Sequence, residues 1–91
     1  MTNDKLFEKL GALLETRDDA DKKHIKKLRK VLQKLKKSQK ELYVSLDQID
    51  DEHERRKIKQ DIEVLKLQRQ KGVKVYKELK QAQAQAQSDL Q

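Results

Sequence analysis

The chain has 91 residues, of which 34% are hydrophobic and only 3% aromatic. That allows one small domain with little material for a closed globular core, so part of the burial is expected from a partner. Cys and Pro are absent and 43% of residues are charged, which excludes a disulfide framework, a thiolate nucleophile and a cysteine-based zinc site, and matches long exposed helices or coiled coils.

Disorder is the competing reading of such a composition, but disordered chains lack the regular apolar spacing seen here. The opening stretch MTNDKLFEKLGALLETRDD mixes acids into a broken apolar run, unlike a secretory signal. No segment has the apolar length to span a bilayer, and a soluble cytoplasmic protein is expected.

In chain order, residues 4–15 place Leu6, Phe7, Leu10, Leu13 and Leu14 on one face, predicting a short helix begun by Asn3 or Asp4. Residues 16–21 form a linker, with Asp21 as the cap of a long helix. Over 22–49, Ile25, Leu28, Leu32, Leu35, Leu42, Leu46 and Ile49 alternate by three and four residues if Gln39 fills the one polar step. This is a heptad seam at positions a and d, and so the signature of that helix. His24, Val31, Ser38 and Ser45 fall at g and widen the buried stripe, while the cations fall at b, c, e and f.

A second, weaker seam runs Ile58, Ile62, Leu65, Arg69, Gly72, Tyr76, Leu79, Gln83, Ala86 and Leu90. One straight helix cannot serve both seams. Ile49 and Ile58 are nine residues apart, and at about 100° per residue they face opposite ways. A turn over 50–53 restores a common core, and Asp50, Asp51, Glu52 and Glu54 supply an acidic cap with an acid at its third position. The second long helix covers 54–86, with the low-complexity QAQAQAQ tract inside an 81–91 tail that continues or frays it. The expected fold is all-α: one domain over 1–91, built as an antiparallel two-helix coiled-coil hairpin with a short N-terminal third helix, assembling into an oligomeric bundle.

Two positions on the second seam stand out. Gly72 either permits close helix approach opposite a large residue, marks a kink, or is a weak point. Arg69 would be costly if buried unpaired, so it is expected to snorkel or meet an acid from another chain. Val64, Leu67 and Val75 lie off the seam as a second apolar stripe, to be covered by Phe7 and Leu10 of the short helix or by another copy.

The net charge of +7 is striped. Residues 1–21 carry −3, 22–40 carry +10, 41–54 carry −6, 55–80 carry +7 and the tail −1. A basic run of this kind, with a pI near 9.6, suits sequence-independent binding of nucleic acid or another polyanion through Lys26, Lys27, Arg29, Lys30, Lys34 and Lys37. Lys predominates over Arg and Phe7, Tyr43 and Tyr76 are scattered, so neither bidentate base readout nor a stacking platform is expected. The bland reading is a solvated exterior that keeps a coiled coil soluble. Membrane-surface binding fits less well, because the apolar face is heptad-spaced and lacks Trp and Phe.

His24 and His53 match no metal-ligand spacing, and adjacent acids such as Asp18 with Asp19 serve as caps. No catalytic residue, metal site or cofactor is expected, and thin helices enclose no water-shielded pocket, so the chain reads as no enzyme. The first expectation is a protein acting by self-association, with a dimer favoured, or by coiled-coil packing on a protein partner. Charge stripes would lay each acidic tip against a neighbour's basic shaft. The alternative is polyanion binding along 22–40.

Overall fold

The structure is a computed structural model that describes residues 3–17 and 21–89, with side chains through Ala84. These residues form three helices packed on one another: α1 (Asp4–Glu15), α2 (Lys22–Gln48) and α3 (Glu52–Asp89). No strand occurs among them. Part of the expected linker and the end of the tail, with Leu90, lie outside the described residues. The Gln/Ala tract is the last part of α3, in keeping with good helix formers that have no breaker among them.

The helix ends are set by local chemistry. Asp21 has extended backbone angles and its Oδ1 accepts from the His24 amide at 2.8 Å, an N-cap for α2. Asp51 stands before α3, its carbonyl accepting from the Arg55 amide at 2.9 Å and its Oδ1 from the His53 amide at a longer 3.4 Å. At the other end of the connection, the Arg55 guanidinium Nη1 donates to the Ile49 carbonyl at 2.8 Å and to the Leu46 carbonyl. A cation thus takes up the orphan carbonyls at the C-terminus of α2, where the helix dipole is negative. Helix termination without glycine or proline is explained by that side chain.

The molecule is a rod, 59 × 19 × 16 Å. Its length is set by α3, whose 38 residues span about 57 Å at 1.5 Å each. Its surface of 7476 Å² compares with roughly 5,500 Å² for a compact monomer of this mass, so burial is confined to one stretch of the rod. There Leu10, Ile25, Leu28, Val31, Leu32, Leu35, Ile62, Leu65 and Val75 are buried. The rest of the expected seam, Leu42, Leu46, Ile49, Ile58, Tyr76 and Leu79, is half-buried. Two helices in contact leave each seam residue an open flank, and α1 supplies the third wall only along part of their length.

α1 is held at two points. Leu10, with 0% exposure, sits over Gly72 together with Leu32. His24 Nε2 lies 2.7 Å from the Leu13 carbonyl, a hydrogen bond in which the imidazole N–H donates.

Candidate anion-binding groove

α1 covers one side of the α2–α3 pair: the side of His24, Val31, Gly72 and Val75. The opposite side is marked by the approach of Lys66 to Tyr43, with Nζ 5.9 Å from the ring centroid. Here α2 and α3 leave an open groove of about 540 Å³, lined by Gln39 from α2 and by Lys66, Arg69, Gln70, Val73, Lys74 and Lys77 from α3. Its position has a sequence cause. Gln39 and Arg69 are the polar interruptions of the two seams, and both line it. Where two apolar residues would close the interface, two long polar side chains hold it open.

Helical geometry collects further cations on this side. Measured around α2 from Tyr43, Lys36, Arg29 and Lys40 all point within roughly 60°. Around α3 from Lys66, Lys59, Lys77 and Lys80 do the same by the same measure. These six cations are exposed along the outside of the shaft, and Lys66 itself is half-buried. Of the acids on this side, Asp47 stands toward the α2–α3 connection, and Glu63 lies one turn from Lys66, between it and Lys59.

The groove is also electrostatically set. The Tyr43 phenol, through hydrogen bonding first and charge second, and then Glu63 raise the Lys66 pKa above the ordinary lysine value. The Nε of Arg69 is sealed from solvent and has no hydrogen-bond partner.

Of the residues proposed from sequence as polyanion contacts, Lys27, Lys30, Lys34 and Lys37 lie within about 80° of one another on the side of α2 away from the groove. Lys26, Lys27, Arg29, Lys30, Lys34 and Lys37 are all exposed. Lys27, Lys30, Lys34 and Lys37 point more than about 110° from the groove side, Lys26 flanks it and Arg29 alone faces it. The groove itself is composite, and α3 supplies most of its lining. A linear run of lysines hid this, because sequence proximity on a helix separates neighbours by about 100°.

The expected second apolar stripe is also divided. Val75 is buried in the core with Leu10, and Phe7 packs half-buried against the same cluster. Val64 and Leu67 stay 49% and 58% exposed. Val64 is eleven residues from Val75, about 16 Å along the axis and past the cover of the short α1, while Leu67 is turned about 80° away from Val75. Tyr43 and Val44 are the other large exposed apolar side chains, and Val44 lies about 100° around α2 from the groove-facing Tyr43. No group of three or more acidic or histidine side chains able to hold a metal ion occurs among the described residues. No described helix is long and apolar enough to cross a membrane.

No known protein family, curated protein or solved structure matches this chain.

Proposed function

We propose that this chain is a non-enzymatic antiparallel helical hairpin that binds a negatively charged partner along the side of α2 and α3 opposite α1. The observation that carries the reading is the groove between Gln39 and Arg69, walled by cations and left uncovered by α1. Cationic walls on a rigid scaffold attract a polyanion over a distance of a Debye length, about 8 Å at physiological salt, and act together rather than singly. A two-helix surface thus takes the place of a single lysine-rich helix. Sedimentation with mixed-sequence RNA and DNA at low and high salt tests it. Co-sedimentation that is lost as salt rises supports anionic docking, and a protein that ignores every polyanion at low salt removes it.

A second reading is self-association through a coiled-coil face. It is favoured by Val64 and Leu67, exposed side by side one turn apart on α3, and by the −6 charge of residues 41–54 facing a basic shaft of another copy. Two side chains form a small apolar contact, well short of the area of a stable dimer. A salt-resistant dimer that dissociates on Leu67→Lys would establish this reading in place of the first.

A further inference from the structure

Resting on that reading, we infer that the partner class is the phosphodiester backbone of double-stranded nucleic acid, gripped without base readout. Cation type is the first reason. Lys36, Lys40, Lys66 and Lys77 present compact point charges on flexible stems, suited to phosphate oxygens and not to the planar bidentate recognition of guanine edges. The second is the lack of a stacking platform. Tyr43 is the one aromatic side chain pointing to this side among the described residues, and its ring is already engaged by Lys66. Unstacked bases of a single strand need exposed aromatic faces in series, and none line the groove.

Shape is the third. Cations recurring every seven residues, as at Arg29 and Lys36 or Lys59 and Lys66, stand about 10.5 Å apart along each helix. They form two stiff rows that suit an equally stiff polyanion. A folded acidic protein would instead need buried aromatic or aliphatic anchors at the contact centre, and Val73 is the only aliphatic side chain lining the groove. The Arg69 Nε adds a chemical reason for an anion at this place: a donor without an acceptor at the wall of the groove. A phosphate drawing the guanidinium outward releases that donor from its sealed position. Asp47 repels phosphate toward the connection end, and Glu63 weakens the row between Lys59 and Lys66.

The test is fluorescence anisotropy of the full chain with a labelled mixed-sequence DNA duplex, the corresponding single strand, and polyglutamate, across a salt series. About five phosphate contacts give a log–log salt slope near −4.5 for the duplex, a several-hundredfold loss between about 50 and 200 mM salt. The variant Lys36→Gln/Lys66→Gln/Lys77→Gln lowers the slope magnitude by about 2.7. The variant Lys27→Gln/Lys30→Gln/Lys34→Gln removes the same charge from the far side of α2 and leaves the slope near its parent value. Circular dichroism verifies that both remain helical. Tighter binding of the single strand, or of polyglutamate with no duplex binding, overturns this inference while keeping an anionic partner. Equal effects of the two triple variants, or no binding to any of the three probes, overturn both the inference and the function proposed above.

Discussion

Gly72 and Gly11 are both helical, and the structure assigns opposite outcomes to the same substitution at the two sites. A Cβ built on Gly11 meets nothing within 4 Å, so Gly11→Ala gains helix propensity alone, about 0.5–1 kcal/mol. A Cβ on Gly72 would stand 2.6 Å from Leu32 Cδ2 and 2.9 Å from Leu10 Cδ1. Each is the end of a flexible side chain, but Leu10 is 0% and Leu32 8% exposed, so both must move inside packed surroundings. Overpacking of this kind costs about 1–3 kcal/mol, which outweighs the propensity gain and leaves Gly72→Ala destabilised by about 1 kcal/mol. In denaturant unfolding, or as a melting shift of about 4–8 °C per kcal/mol for a domain of this size, the two variants move in opposite directions. A double-mutant cycle isolates the cause. Leu10→Ala alone costs about 2–5 kcal/mol, and in that background Gly72→Ala should cost less, because the space vacated by Leu10 lets Leu32 give way. Gly72→Ala that stabilises the parent as much as Gly11→Ala refutes the close approach of α1.

Other side chains carry four further expected outcomes. Arg55→Ala removes the donor to the Leu46 and Ile49 carbonyls and should cost about 1–2 kcal/mol in urea unfolding, since charge-assisted bonds are the stronger class. Arg69→Leu removes a sealed donor without a partner and closes the seam, so the free protein should melt higher while its duplex affinity falls. The hydrogen bond from the His24 amide lowers the Asp21 pKa below its ordinary value of 3.8. Its contribution is present above the unfolded carboxylate pKa and is lost as pH falls through the folded value. Asp21→Asn, a cap that does not titrate, should show a shallower loss of stability below about pH 4. Finally, cations crowd one side of the rod, so the melting temperature of the free protein should rise with moderate salt as their repulsion is screened.

The three helices were legible because their signals are local: the three-and-four spacing of Ile25 to Leu35, the face of Leu6, Phe7 and Leu10, and the acid at Asp21 that caps α2. The turn was legible by contradiction, since Ile49 and Ile58 could not share a seam on one helix. The Arg55 clip was not, because a lone Arg near the start of a helix resembles any surface cation until its reach to the preceding helix is known. Gly72 showed as an anomaly, and only the packing of α1 distinguished a close approach from a weak point. The groove stayed hidden for a related reason. Gln39 and Arg69 looked like separate flaws in two seams, whereas their chemistry emerges from lining one groove, and the lysine run drew attention to one helix, most of whose cations in that run turn away from the groove. Val64 and Val75, nearly on one line of α3, parted company because α1 is too short to cover both.

The groove is tested most directly by a residue-resolved amide NMR titration of the full chain with a mixed-sequence DNA duplex at low salt. Perturbed signals should cluster at Arg29, Lys36, Lys40, Lys66, Arg69 and Lys77 and reverse as salt is added, with Lys27, Lys34 and Leu67 little changed. Perturbations centred on Lys27, Lys30 and Lys34, or on Val64 and Leu67 as protein concentration alone is raised, would contradict duplex binding in the groove.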